Sequence, residues 1–158
     1  MAVQTSYEIE HAGAVAGAVV DGTLKNIVSG AAVGSIPFGR VVYQTGTGVV
    51  LPLSTTGQVT SGLAGIAIRV QDDVANASDA LQYEDESDVS VLDFGTVWMV
   101  AEDAVAAGGA VFARFVAGGL GVGSVRSDAD AGDAVALPGA MFMAAAGAGA
   151  LVPVRYRA

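Results

Sequence analysis

The sequence predicts an all-β protein. We expect a single compact β-barrel or jelly-roll-like sandwich over residues 23–158, preceded by an extended N-terminal arm over residues 1–22. Short apolar runs alternate with polar residues at a period of two, which is typical of strands. Glycine, proline or serine ends each run at intervals of roughly ten residues, the spacing of sandwiches and barrels. The chain has 158 residues, 22 glycines and no cysteine, so one sizeable core without disulfides is expected.

The arm is predicted from the alternation at the start of the chain. Tyr7, Ile9 and His11 alternate with serine and glutamate, a pattern that favours an extended backbone. The run AGAVAGAVVDG that follows is interrupted by glycine too often for a regular helix or strand. We therefore expect the arm to extend from a barrel that folds without it.

The middle of the chain predicts several short strands. Glycines between Val42-Tyr43 and Val49-Val50 predict a hairpin. Pro52 predicts an edge position or a bend, because proline cannot donate to a sheet ladder. The run LAGIAIRV, residues 63–70, predicts a further strand with Ile66 on its buried face.

The stretch over residues 87–116 predicts three strands. Apolar residues alternate over 89–91 and again over 97–101, which predicts a strand, a glycine bend at Phe94-Gly95 and a second strand. A third apolar run, residues 110–116, follows two adjacent glycines. The alternative is a helix, or a helical turn at 103–107. Adjacent glycines and the β-branched and aromatic residues of VFARFV oppose the helix.

The C-terminal part predicts two hairpins. The glycine series at residues 119–123 lacks the spacing of a phosphate-binding loop and is interpreted as a hairpin tip. Residues 136–157 predict two apolar strands around a turn of glycine and alanine. Their basic end, with Arg155 and Arg157, is expected to contact a neighbouring copy or another partner.

The charge of the chain restricts its partners. Seven basic and sixteen acidic residues give a net charge of −9, so a nucleic acid or an anionic membrane surface is expected to repel the protein. Residues 134–154 are uncharged, but prolines and glycines interrupt them, so we expect no membrane span. We therefore predict neither nucleic acid nor membrane as a partner.

Acidic residues raise the question of a cation site. Residues 72–88 contain seven acids and no basic residue, which could supply oxygen ligands to Ca²⁺ or Mg²⁺. Their spacing is not that of a calcium loop, so a solvated acidic loop is the preferred interpretation. Asp128, Asp130 and Asp133 are likewise interpreted as an acidic turn, because Gly139 stands where an EF-hand needs its bidentate glutamate.

Catalytic groups are scarce in the sequence. The only histidine is His11, which lies in the predicted arm, and no G-x-S-x-G nucleophile elbow occurs. One histidine without cysteine cannot form an ordinary zinc site. A hydrolase would have to use the acidic loop, with Asp85 and Asp88 as its test residues. We predict no enzymatic activity and no cofactor.

Five segments, in order along the chain, carry a family resemblance. They are GAVVDG (17–22), NIVSGAAVGSIPFGRVVY (26–43), GLAGIAIR (62–69), the segment from Tyr83 to Asp88 leading into VSVLDFGTVWMVAEDAVAAGGAVFARF (89–115), and LPGAMFMAAAGAGALVPVRY (137–156). Together they resemble the structural cement, or capsid decoration, proteins of tailed bacteriophages. The most specific pieces are IPFGRVV, VSVLDFGTVWM and the turn A-x-x-A-G-G-A-V, where this chain has Gly108-Gly109 and the family commonly has Gly-Asp.

The resemblance implies a structural role. A cement protein of this kind is expected on the capsid exterior of the virion, after synthesis in the bacterial cytoplasm. Its partners would be the phage major capsid protein and further copies of itself, as a dimer or trimer. The residues predicted to contact the capsid or another subunit are Tyr7, Ile9, His11, Arg155, Tyr156 and Arg157. The alternative is a small ligand-binding or carrier barrel, although Lys25, the only lysine, does not stand at a predicted hairpin apex.

Overall fold

Strands make up almost all of the regular structure. This computed structural model describes residues 14–20, 22, 24–70 and 81–158. The strands are β1 (Asn26–Ala32), β2 (Ile36–Pro37), β3 (Val41–Gln44), β4 (Val49–Pro52), β5 (Ala64–Ala67), β6 (Gln82–Tyr83), β7 (Asp88–Val100), β8 (Ala110–Arg114), β9 (Val125–Arg126), β10 (Ala134–Phe142) and β11 (Leu151–Arg157). One short helix, α1 (Thr56–Thr60), and a 3-10 turn (Asp130–Gly132) complete the regular elements. The prediction of an all-β fold is confirmed.

Five strands close into a small barrel. Their order is β1-β4-β3-β5-β7, and β7 returns to pair antiparallel with β1, with Ile27 opposite Leu92. The smaller of two hydrophobic clusters takes residues from all five strands, including Val28, Val42 and Val91. Closing the sheet on itself leaves these strands without long free edges.

A second group of strands extends from β7. The order continues β7-β11-β10-β8-β9, and the larger hydrophobic cluster packs these strands against the barrel wall. Met99, Phe142 and Val154 are among its fully buried members. Helix α1 adds Val59, which is 1% exposed, to the same cluster. Strand β7 is thus shared by both halves of the molecule.

Strand β7 is longer than the sequence predicts. The expected break at Phe94-Gly95 is wrong, because a single strand of 13 residues runs through it. Partners change there instead: β1 pairs with residues 88–94, and β11 pairs with residues 94–100. Gly95 has a φ of 145°, which glycine adopts readily. The strand continues because a new partner takes over its hydrogen bonds as the first one ends.

Several of the other predicted elements are confirmed. Strands β3 and β4 form the expected hairpin, with Tyr43 opposite Leu51. The C-terminal strands β10 and β11 pair antiparallel, and β8 follows the glycine pair as expected. The helical turn at 103–107 is wrong, since this described segment forms only isolated bridges and a turn. Burying Val105 in the larger cluster fixes that segment in an irregular conformation.

Residues 14–20, within the predicted arm, are bound to the barrel. Val19 forms a bridge with Val97, the Gly17 N–H donates to the Trp98 carbonyl at 2.8 Å, and the Trp98 N–H donates to the Ala18 carbonyl at 2.8 Å. The rest of the predicted arm, residues 1–13, lies outside the described residues. The boundary between arm and barrel therefore stays a prediction.

Candidate contact surface

The seven basic residues of the chain fall into two groups. Three of them, Arg40, Arg114 and Arg126, surround or approach the buried Glu102. The other four, which we call the basic face, are Lys25, Arg69, Arg155 and Arg157. No ion pair joins the basic face to any described acid. Among the described residues, these four cations therefore have no acidic partner, in a chain with a net charge of −9.

Two open recesses carry the basic face. One, of about 500 Å³, is lined by Leu24, Phe94, Arg155 and Arg157 among others. The second, of about 580 Å³, is lined by Lys25, Arg69 and aliphatic side chains that include Ile27 and Val70. Neither recess is enclosed, so each is suited to receive a protruding surface.

Exposed hydrophobic side chains line the same two recesses as the cations. Leu24 is 83% exposed, and Phe94, Ile27 and Val70 are each more than a third exposed. Arginine beside aromatic and aliphatic groups is a composition that protein interfaces favour. The basic face therefore combines positive charge with exposed apolar side chains.

The period of β11 decides which predicted contact residues face outward. Arg155 and Arg157 are exposed, whereas Tyr156 between them is 2% exposed and belongs to the larger hydrophobic cluster. The Tyr156 hydroxyl donates to the Ala64 carbonyl at 2.8 Å. Burial, followed by the negative charge of Asp93, raises the pKa of Tyr156 to about 12. Tyr156 therefore lies beneath the surface that Arg155 and Arg157 present, and the predicted contact role of these three residues stays a prediction.

A glycine permits the close approach of β10 to the end of β11. Gly139 has a φ of 72°, and a Cβ atom there would collide with the carbonyl oxygen of Arg157. The register between β10 and β8 shifts across residues 136–141, which include this glycine. Gly139 thus allows the backbone under Arg157 to occupy its place in the recess wall.

The second group of cations forms an internal charge network. Arg114 Nε lies 3.0 Å from both carboxylate oxygens of Glu102, and Arg126 Nη1 lies 3.5 Å from Glu102 Oε2. Arg114 and Arg126 also pair with Asp130. The hydrogen bond that Arg114 donates to Glu102 is the main cause of a raised pKa of Arg114. Sequence reasoning missed this network, because its central Glu102 is 12 residues from Arg114 and 24 residues from Arg126 and follows no local spacing.

The predicted acidic segments have identifiable partners where they are described. Asp128 pairs with Arg126, so the acidic turn after β9 is part of the charge network. Asp85 Oδ1 accepts the Gly34 N–H at 2.7 Å, while residues 72–80 of the predicted acidic loop lie outside the described residues. Within the described ranges, no group of three or more acids and histidines is placed to hold a metal ion.

The remaining candidate residues are in the predicted arm or shortly after it. Tyr7, Ile9 and His11 lie outside the described part of the chain. Lys25 directly precedes β1, so it is not at the apex of a hairpin as a carrier barrel would require. No helix among the described residues is long and apolar enough to cross a bilayer.

Comparison with known proteins decides the family. The family described as structural cement protein (E217 gp24/Pam3 gp6) matches residues 3–157. The chain belongs to the structural cement protein family. This cement protein is accordingly a capsid-associated structural protein of phages, and the family resemblance stated from its sequence is confirmed.

Solved structures give the fold of the cement protein further support. It is similar to a chain in the capsid of Myoviridae phage XM1, with a TM-score of 0.71 and 20% sequence identity over 99% of this chain and 98% of that one. It also aligns with the head fiber gp8.5 N base of bacteriophage phi29, at 13% identity over 84% of this chain and 94% of that one. The TM-score of 0.45 in that second case is too low to establish a common fold. A search of curated proteins finds no match.

Proposed function

We propose that this cement protein binds the outer surface of the assembled phage head through its basic face and holds neighbouring major capsid subunits together. The observation that carries the proposal is that four cations without an acidic partner among the described residues line two open recesses with exposed apolar side chains, on a chain whose net charge is −9. Positive charge at these recesses would attract carboxylates of the shell.

The stabilising effect would follow from mass action. A protein that binds the assembled shell, and not its free subunits, shifts the equilibrium toward the shell by an amount that depends on its concentration and affinity. Because the same contact repeats over every equivalent site of the head, weak individual contacts would add up. No covalent step or cofactor is needed for this role.

The basic face is tested by binding to heads that lack the protein. Purified wild-type protein and the variant Arg155→Ala/Arg157→Ala would be mixed with such heads and separated by sedimentation. The variant is expected to bind about tenfold or more weakly at low salt, because exposed interfacial charges contribute to encounter and affinity. Ala145→Glu/Ala148→Glu is the matched control, since it changes the net charge equally at exposed positions in the turn before β11.

Cementing itself is tested by the resistance of the heads. Heads with the wild-type protein should survive heating and osmotic shock better than heads without it. Equal survival of the two preparations would contradict the cementing role, even if the protein bound.

We propose in addition that the cement protein acts as a homodimer or homotrimer, with Tyr7, Ile9 and His11 contributing contacts to the capsid or to another copy. Deletion of residues 1–13 should then leave the barrel folded by circular dichroism but weaken binding to heads. Light scattering that finds only monomers, both free and after release from heads, would contradict the oligomer.

A further inference from the structure

The second recess of the basic face combines two kinds of surface. We call it the Lys25 recess; its volume is about 580 Å³. Its aliphatic lining includes Val15, Ile27 and Val70, which are each more than a third exposed. Lys25 and Arg69 line the same recess, and neither forms an ion pair with a described acid. An occupant that fits this recess would therefore combine apolar side chains with carboxylates.

One corner of the same chain carries exposed carboxylates. We call residues 84–88, EDESD, the acidic corner, and all four of its acids are exposed. Asp85, Glu86 and Asp88 form no ion pair with any described cation. Within the described part of the chain, no cation therefore neutralises these three carboxylates.

Exposed aliphatic side chains lie beside the acidic corner. Leu81 is 55% exposed and Val33 is 49% exposed, the highest fractions for large hydrophobic side chains in the described residues after that of Leu24. Val33 is next to Gly34, whose N–H donates to Asp85 Oδ1 at 2.7 Å, and Leu81 directly precedes β6, the strand that leads into the corner. The corner and its neighbours thus have the composition that suits the Lys25 recess.

Hydrogen bonds hold the acidic corner to the end of β1. The Ala32 N–H donates to the Ser87 carbonyl at 2.8 Å, and the Glu86 N–H donates to the Ala32 carbonyl at 3.0 Å. The Ser87 hydroxyl donates to the Glu84 carbonyl at 2.6 Å. A surface whose backbone is already fixed loses less conformational entropy when it binds, so more of its contact energy contributes to affinity.

Within one copy, the acidic corner does not pair with the Lys25 recess. Lys25 directly precedes β1, whereas the corner is bonded to Ala32 at the other end of that strand. Six residues of extended strand span about 20 Å, which is beyond the reach of a lysine side chain. Arg69 forms no ion pair with a described acid either. A second copy can bring the corner and the recess together.

We propose that the Lys25 recess binds the acidic corner of a second copy of this chain. Lys25 and Arg69 meet the carboxylates of the corner, while Val33 and Leu81 pack on the aliphatic lining. Opposite charges at this contact favour one orientation of the two copies and offset part of the repulsion between chains with a net charge of −9. Each copy has one recess and one corner, so the contact can close into a dimer or a trimer.

This inference rests on the proposed function, because it divides the basic face between two partners. Arg155 and Arg157 remain available to the shell, whereas the other two cations join neighbouring copies. A protein that holds shell subunits together gains affinity when linked copies bind at the same time, since the second binding event becomes intramolecular.

The test measures the mass of the purified protein in solution, without heads, by light scattering over a range of concentrations. Wild type is expected to form a dimer or a trimer. Lys25→Glu/Arg69→Glu and Glu86→Lys/Asp88→Lys should each associate about tenfold or more weakly, because each variant places like charges together. The second variant lowers the net negative charge, so general repulsion between copies cannot explain its weaker association.

The matched control is the chain that carries all four substitutions. Its net charge equals that of wild type, and it restores the opposite charges with their signs exchanged. We expect it to associate again, with an affinity close to that of wild type. Circular dichroism and thermal unfolding show whether each variant is folded, and the substituted side chains are exposed or half-buried.

The outcomes separate this inference from the proposed function. A wild-type protein that stays monomeric, or variants that keep its mass, would overturn the inference, while binding of wild type to heads would still support the proposed function. If Lys25→Glu/Arg69→Glu kept the mass but lost binding to heads, the recess would meet the shell, which also overturns the inference. If wild type failed to bind heads, the proposed function would fall, but the loss and recovery of association in solution would still support the contact between copies.

Discussion

Glu102 and Arg114 form a buried pair in which both carboxylate oxygens lie 3.0 Å from the same Nε atom. The two side chains are 8% and 4% exposed. Glu102 also receives the Leu120 N–H, so one carboxylate connects the charge network to the loop between β8 and β9. The packing of β8 and β9 and the conformation of the loop between them therefore depend on the same side chain.

Removal of Glu102 should destabilise the protein strongly. Glu102→Ala leaves Arg114 buried with only its aspartate partners, and the loss of one member of a buried pair typically costs about 3 kcal/mol. Unfolding in urea, monitored by circular dichroism, measures the free energy of unfolding. Asp128→Ala is the control, since Asp128 pairs with Arg126 but its side chain is 66% exposed, and it should leave the midpoint nearly unchanged. Equal effects of the two variants would contradict the central role of Glu102.

The ionisation of Tyr156 should lower the free energy of unfolding in alkaline solution. Its pKa is raised to about 12 in the folded protein by burial and by Asp93, compared with about 10 for an unfolded tyrosine. The unfolded chain therefore loses this proton first, so the stabilising effect is complete below pH 10 and is lost as the pH rises toward 12. Urea unfolding between pH 9 and pH 12 should show a smaller decline for Tyr156→Phe, which has no phenol to titrate. An identical decline in both proteins would assign the effect to other groups.

Tyr156→Phe should also cost stability at neutral pH. The variant removes the hydroxyl that donates to the Ala64 carbonyl and leaves that buried acceptor without its partner. A loss of about 1 to 3 kcal/mol is expected. Tyr43→Phe is a suitable comparison, because Tyr43 is only half-buried and its hydroxyl has no hydrogen bond among the side-chain contacts of the described residues.

Alanine substitutions at three glycines should distinguish the effect of backbone strain on stability from the effect of steric collision. Gly139→Ala should be the most destabilising, because it places a Cβ against the Arg157 carbonyl at a φ of 72°. Gly149→Ala has a similar φ of 76° but open space around it, so only the conformational cost of about 1 kcal/mol is expected. Gly147 has no positive φ, and a Cβ atom there would have open space around it, so Gly147→Ala should be neutral or slightly stabilising. Thermal unfolding gives the ranking, and a Gly149→Ala effect as large as that of Gly139→Ala would contradict the proposed collision.

Salt should reveal the charge contribution of the basic face. Binding of the wild-type protein to heads should weaken as ionic strength rises, because exposed charges are screened. The variant Arg155→Ala/Arg157→Ala should show a smaller dependence on salt than wild type. Identical salt dependence in the two proteins would contradict a charge contribution from the basic face.

The fold class could be predicted because short-range sequence patterns indicate its strands and turns. The alternation of valines along β7, the glycine pair before β8 and the turn between β3 and β4 all follow short-range rules. Helix α1 was missed although Thr55 and Gln58 stand at capping-box spacing, and the Thr55 N–H does donate to Gln58 Oε1 at 3.2 Å. A helix of five residues lacks the length at which periodicity becomes visible.

The contact surface could be predicted only in part. Arg155 and Arg157 were selected by their charge, and the period of a strand would have placed Tyr156 on the opposite face. Lys25 and Arg69 line a common recess only through tertiary folding, because they come from distant parts of the chain. The connection of Glu102 to Arg114, Arg126 and Leu120 depends on pairings that no local spacing reveals.

Strand β7 has a mechanical consequence, because it belongs to both halves of the molecule. Its residues 88–94 pair with β1 of the barrel and its residues 94–100 pair with β11, so a force that pulled the two halves apart at the ends of β7 would act along the strand. Force parallel to paired strands must shear their hydrogen bonds together, whereas force across them would open the bonds one at a time. The continuity of β7 would thus let the domain resist such a force over all of its paired hydrogen bonds at once.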